Sequence, residues 1–238
     1  MLCDSPPAVL LTVTSSALMR HVSDIATSRH SPLASLSTLI EDTSSILTFI
    51  PLCILALFSH YSPNMATLAT SFSPSSSSTA VIVPAAGNSP ALTISYKQLS
   101  EDIKAFQSKL AKLGVSPGSA VSIAIPNSYP FIVAFLAASW QRAIAAPLNP
   151  AYKQDEFEFY IDDLQSAVAL VPQGSFEKSG PAVKAARKYK AAIAECYWNG
   201  NEVVLDIKEE GKLKGQGNKK VEQAQPEDTA LVLHTSGT

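Results

Sequence analysis

The sequence predicts an α/β fold, an open and mostly parallel sheet with flanking helices. Three observations predict it. Short apolar runs beginning near residues 120, 143, 167 and 191 recur at about 24 residues, the spacing of successive βα units. The runs are almost continuously apolar rather than alternating, as strands buried on both faces of a parallel sheet are. Between them lie segments whose apolar residues follow a helical period.

Taken in order, the regular part begins past residue 90. "TISYKQLSEDIKAFQSKLAKLG" places Ser95 as an N-cap with Gln98 three residues on, the spacing of a capping box. Leu99, Ile103, Phe106, Leu110 and Leu113 then line one face, and Gly114 ends the helix. "AVSIAI", Ala120–Ile125, is a buried strand closed by Pro126. A helix apolar almost all round follows from about Ser128 to Gln141. The pattern continues with a strand Ala143–Pro147, a helix in "QDEFEFYIDDL", a strand Ala167–Val171, a helix around Ala182–Tyr189 and a strand Ala191–Trp198. Val203–Ile207 reads as a further strand, and the charged, Gly-containing stretch Lys208–Asp228 as a solvated loop or edge hairpin. The strand Ala230–Leu233 then runs into "HTSGT".

The first 64 residues differ in kind. They hold no Lys and no Gly, twelve Ser and six Thr, and no sustained periodicity. We read residues 1–64 as an extension that is disordered or poorly packed, either preceding a natural start at Met65 or serving as a targeting or anchoring segment. Within it Ile46–Phe58 is thirteen mostly apolar residues broken by Pro51. That is short of the about 20 that span a bilayer, so it makes at best a weak membrane anchor. Residues 65–89, with "SFSPSSSSTA" at Ser71–Ala80, read as a flexible Ser-rich linker, leaving 90–238 as the folded part.

Composition narrows the function classes. A 238-residue chain with 46% hydrophobic and 16% charged residues can build a core, and a net charge of -2 with no basic, aromatic-interleaved cluster argues against a nucleic-acid partner. Cys3, Cys53 and Cys196 form no disulfide framework and no CxxC pair, which fits a reducing compartment. His21, His30 and His60 lie in the extension, so no metal pair and no Ser/His/Asp set assembles around His234. Asp155, Glu156, Glu158, Asp162 and Asp163 flank a buried stripe of Phe157, Tyr160, Ile161 and Leu164 and read as a wet helix face. Asn149 and Pro150 are explained by a rigid turn or by ligand contact.

The remaining candidate site is the loop of Thr235, Ser236, Gly237 and Thr238. Three hydroxyls and several backbone N–H groups at the end of a strand suit phosphate oxygens, and the glycine lets the backbone come close. An ordinary turn explains the same residues. A Walker A loop is absent, since Gly211, Gly215 and Gly217 are wrongly spaced and no Gly-Lys-Ser/Thr follows.

"LVLHTSGT" resembles the start of the phosphate-binding signature of the adenylate-forming (AMP-binding) acyl-CoA synthetase superfamily. "TISYKQLSEDIKAFQSKLAKLGVSPGSAVSIAIPNSYPFIVAFLAA" and "AAPLNPAYKQDEFEFYIDDLQSAVAL" are similar to its first helices and strands, and the wording of Pro147–Tyr160 is similar to the oxalyl-CoA synthetase and peroxisomal CoA synthetase branch. The resemblance covers residues 90–172 and 226–238 and leaves residues 1–64 unaddressed.

The resemblance implies an ATP-dependent carboxylic acid–CoA ligase that forms an acyl-adenylate and then an acyl-CoA, with ATP, Mg²⁺ and coenzyme A as cofactors or co-substrates. It implies that Thr235, Ser236, Gly237 and Thr238 hold the β- and γ-phosphates, as binding residues rather than acids or bases, with no catalytic and no metal-ligating residue assigned. His234 takes a structural role or touches substrate. The implied substrate is a small carboxylic acid, oxalate first, and the implied location cytoplasmic or peroxisomal. Because the signature stops at Thr238, we expect the N-terminal part of such an enzyme, inactive by itself, with an unpaired apolar edge along Ala230–Leu233 that favours association. The alternative is a non-catalytic binding or membrane-associated protein derived from one.

Overall fold

The structure is a computed structural model that describes residues 9–14, 67–85 and 90–235, with the backbone alone for 9–14 and Thr235. The stretch Ile46–Phe58, read above as a weak anchor, lies outside the described residues. Among those described, no helix is long and apolar enough to cross a membrane.

The described elements are β1 Val9–Thr14, β2 Thr79–Val83, β3 Leu92–Ser95, α1 Tyr96–Leu113, β4 Ala120–Ile123, α2 Tyr129–Trp140, β5 Ile144–Pro147, α3 Gln154–Asp163, β6 Val168–Val171, α4 Pro181–Lys188, β7 Ala192–Trp198, β8 Val203–Glu209 and β9 Thr229–Thr235. They build one sheet in the order β1-β9-β5-β4-β6-β7-β8 and a separate hairpin of β2 with β3. β9, β5, β4, β6 and β7 run parallel, while β1 and β8 close the two edges antiparallel. The predicted α/β architecture is therefore present.

Why the strands read as unbroken apolar runs is visible in the core. Val168 and Leu170 of β6 face a cluster with Ile103, Phe106 and Leu110 of α1 and Val133 of α2. The alternate residues Ala169 and Val171 face Phe157 and Ile161 of α3 and Val183 of α4. Both faces are dry, so neither alternation is polar. One polar residue inside, Ser122 of β4, spends its hydroxyl on Ser166 at 2.6 Å, which satisfies two buried groups at once.

Local rules set the helix ends. Ser95 Oγ accepts from the Gln98 N–H at 3.2 Å, as an N-cap does, but the Gln98 side chain donates forward to Asp102 Oδ1 at 3.0 Å. The expected capping box is thus half formed: the Gln98 side chain is turned toward Asp102 as a donor instead of reaching back to accept from the Ser95 N–H. Gly114 closes α1 in the left-handed region at φ 116.

Three expectations need correction. The stretch 65–89 is not a bare linker: it holds a 3-10 turn at Leu68–Thr70 and β2, and Phe72 packs on Tyr96 and Trp140 at 5.0 and 5.3 Å. Its serines settle the backbone instead of loosening it, with the Ser76 and Ser78 carbonyls accepting from Lys97 and Tyr96 at 2.9 and 3.0 Å. Residues 9–14 of the supposed unfolded extension form β1, paired antiparallel along β9 from Val9↔Thr235 to Thr14↔Thr229. The apolar edge of β9 expected to stand unpaired is therefore covered on one side by β5 and on the other by β1.

The charged stretch after β8 is also more than a solvated loop. A 3-10 turn at Gly211–Leu213 buries Leu213, and the segment beyond it donates N–H groups from Lys219 to the Ala111 carbonyl and from Ala224 to the Trp140 carbonyl, at 2.9 and 3.0 Å. It thereby satisfies the carbonyls that α1 and α2 leave open at their C-termini.

Candidate functional site

All parallel strands send their carboxyl ends to one edge of the sheet, and the chain leaves β4 toward β5 on one side while β6 lies on the other. In open α/β sheets this reversal opens a crevice where ligands sit. Here it is a cavity of about 480 Å³ between the segment after β4, with Ile125, Asn127 and Phe131, and the segment after β5, with Leu148, Asn149 and Pro150. Asn149 is mainly a turn former, since its Oδ1 accepts from the Ala151 N–H at 2.9 Å.

β9 reaches the same edge beside β5, and Thr235 is its last residue. Ser236, Gly237 and Thr238, the other three residues of the candidate loop, lie outside the described residues. The structure therefore brings the start of that loop to the crevice edge of the sheet.

Side chains hold β9 at three points. Arg142 grips Asp228, just before the strand, with two hydrogen bonds of 2.9 and 3.1 Å, and also reaches Glu222 at 3.1 Å. Asp228, the larger cause, and then Glu222 keep the Arg142 guanidinium above its ordinary pKa. The hydroxyl of Ser139, at the end of α2, donates to the Ala230 carbonyl at 3.0 Å in a buried position. At the far end His234 places Nε2 2.9 Å from Asp163 Oδ2, with its ring 4.6 Å from that of Tyr160. The His234 side chain is only 2% exposed. Its Nδ1 is buried and has no partner.

This arrangement bears on the residues singled out above. His234 is packed against Tyr160 and bonded to Asp163 within the protein. Of the acids on α3, Asp162 accepts from the Gln165 side chain, and Glu158 bonds Gln154 and Lys188, which hold its carboxyl below the usual range in that order. Asp163 lies on the exposed face as expected, with its side chain 44% exposed, and from there reaches across to His234 of β9. The separation of 71 residues between Asp163 and His234 leaves no local signal of the pair. Among the described residues no group of three His, Cys, Asp or Glu side chains could hold a metal ion.

Two further groups were missed by sequence reasoning. The Tyr129 phenol donates to Asp102 of α1, and burial first, then that bond, pushes its pKa well above the ordinary value. Cys196 on β7 is buried, and burial pushes its thiol up to about 12 against the opposing charge of Lys109. Neither is among the residues that line the crevice.

Comparison with known proteins adds the last observation. The family described as AMP-binding enzyme matches residues 75–238. An oxalate–CoA ligase of Arabidopsis thaliana is 36% identical over 148 residues, 61% of this chain and 28% of that protein. The oxalate–CoA ligase of Saccharomyces cerevisiae is 33% identical over 200 residues, 73% of this chain and 36% of that protein. The chain thus spans about a third of the curated relatives it matches, or less. Among solved structures, a Brucella canis acyl-CoA synthetase superposes with a TM-score of 0.53 at 17% identity, covering 68% of this chain and 29% of that one, which supports the shared fold.

Proposed function

The chain belongs to the AMP-binding enzyme family, and from that premise we propose that it supplies the phosphate-facing part of an ATP-dependent carboxylic acid–CoA ligase. The observation that supports this most is the placement of β9. It carries Leu233, His234 and Thr235, where the "TSGT" motif begins, to the carboxyl edge of the parallel sheet, beside the crevice.

In the proposed reaction a carboxylate oxygen attacks the α-phosphorus of ATP, the bond to the pyrophosphate oxygen breaks, and an acyl-adenylate forms. The thiol sulfur of coenzyme A then attacks the acyl carbon, its proton is lost, and AMP departs. Thr235, Ser236, Gly237 and Thr238 bind the β- and γ-phosphates by hydroxyl and backbone N–H donation, which neutralises charge building on the departing pyrophosphate. They neither give nor take a proton. No metal-holding set occurs among the described residues, so Mg²⁺ enters this reading only with the nucleotide.

We assign a small carboxylic acid, oxalate first, because the similar proteins of Arabidopsis thaliana and Saccharomyces cerevisiae are both oxalate–CoA ligases. The Pro147–Tyr160 stretch carries the same likeness. A peroxisomal or cytoplasmic location is a proposal that rests on the resemblance of Pro147–Tyr160 alone.

The motif donors alone give a few hydrogen bonds of about 1 kcal/mol each, against about 8 kcal/mol for micromolar affinity, so this chain is expected to bind Mg-ATP more weakly than that. Calorimetry with Mg-ATP checks the affinity, and micromolar binding would show that the chain carries a complete nucleotide site. Acid-dependent pyrophosphate release, measured in protein carrying this chain with oxalate, medium-chain and aromatic acids, tests the substrate. A strong preference for a long-chain fatty acid would reject oxalate.

A further inference from the structure

β9 is the strand least fixed by its backbone on the parallel side. Its register with β5 consists of the single pair Ala145↔Leu231, two residues into the strand, whereas β6 shares three pairs with β4 and four with β7. From Leu231 to Thr235 the strand therefore runs on without a laddered parallel neighbour: its backbone is held there from the β1 side, up to Val9↔Thr235, and on the other side only side chains can tie it to the sheet.

We infer that His234 and Asp163 form a positioning latch that joins the carboxyl end of β9 to α3 and so sets the place of Thr235 at the crevice edge. Three features point there. The Nε2–Oδ2 distance of 2.9 Å is that of a well-formed hydrogen bond. The imidazole is 2% exposed and lies 4.6 Å from the Tyr160 ring, so it has one packed orientation. Its second nitrogen has no partner, which leaves the carboxylate as the only hydrogen bond orienting the ring among the described residues.

The latch also explains why Asp163 faces β9 from the last turn of α3. That turn is itself anchored, with Phe157 and Ile161 each 1% exposed in the core beneath it. The rigid helix end thus acts through the imidazole on the strand, while neither side chain touches substrate. Residue 235 is the first of the four that the function proposed above gives to phosphate, so the functional meaning of the latch rests on that reading.

The test separates ring packing from hydrogen bonding. His234→Phe keeps a ring against Tyr160 and removes the bond, His234→Gln keeps a donor, and Asp163→Ala removes the acceptor at a 44% exposed side chain where folding is little threatened. In ¹⁵N-labelled full chain, His234→Phe, Asp163→Ala and the double variant are expected to move the Thr235 amide resonance to one common position, with His234→Gln close to the parent. Titrated with magnesium pyrophosphate, the same three variants are expected to lose about tenfold in affinity, with the double variant no worse than the singles. An unmoved Thr235 resonance in Asp163→Ala, or penalties that add in the double variant, would overturn the latch. If pyrophosphate shifts no loop amide of the parent, the phosphate reading fails, and the Thr235 resonance still decides the latch.

Discussion

β6 and β9 are both buried parallel strands, but they are held in different ways. β6 is laddered on both sides by backbone pairs and buries all four residues between two helical layers. β9 has one pair to its parallel neighbour and owes its place to Arg142, Ser139, His234 and the antiparallel β1. Backbone ladders are generic and tolerate most apolar side chains. Side-chain ties are specific, and they make the strand that carries the candidate loop adjustable independently of the core.

The comparison can be broken most forcefully at β6. Leu170 is fully buried, and Leu170→Ala is expected to cost about 2–5 kcal/mol through lost burial and an unfilled cavity. Urea denaturation should show the whole α/β unit weakened, with β9 falling along with it. A loss confined to β6 would break the claim that this strand belongs to the common core.

Smaller changes should separate the two strands. Ser139→Ala removes the hydroxyl bonded to the Ala230 carbonyl and is expected to cost about 1 kcal/mol. Hydrogen exchange should quicken at Ala230–Leu233 while the amides of Val168–Val171 stay protected, and equal acceleration in both would remove the distinction. Asp228→Asn leaves Arg142 with a weaker partner at a half-exposed site. There the expected loss is small, and it should shrink further in high salt as the pair is screened.

The least effect concerns a tie that touches neither strand. The carboxyl of Glu158 is held below its ordinary value of 4.5 by Gln154 first and Lys188 second. A lowered carboxyl pKa adds stability that is present above 4.5 and is lost as pH falls through the lower folded value. Thermal melts of Glu158→Gln and parent should therefore differ slightly at neutral pH and converge in acid. The same difference at both pH values would exclude an ionic contribution.

What could be read in advance divides along the same line. The βα repeat from Ala120 to Trp198 was legible because a strand buried on both faces must be apolar throughout, and the connecting helices must be amphipathic or apolar. Helix α1 announced itself through Ser95, its stripe and Gly114. The hairpin of β2 and β3 was hidden, since serines that bond the backbone and serines that loosen it look alike in composition. β1 was hidden for a related reason: "VLLTVT" is a strand by its β-branched residues, but the sequence around it has no periodicity that suggests a partner.

The loop Thr235–Thr238 was legible as a motif, while the ties that place it were not. Arg142 meets Asp228 across 86 residues, and no local period encodes such a meeting. Arg142 does carry a trace of its special position in the structure, a φ of 66, which a non-glycine residue adopts at a cost. The ion pair with Asp228 is what that unusual backbone presents.

Cys196 gives the sheet a clock. With its thiol buried and its pKa pushed up to about 12, it offers an alkylating reagent no thiolate at neutral pH while the protein stays folded. Each labelled Cys196 therefore marks one opening of the sheet between β7 and its neighbours, and the labelling rate measures the lifetime of the native state. Amide exchange in β9 measures how often that strand lets go by itself, so one sample can time two events: the core parting, and β9 moving within an intact core.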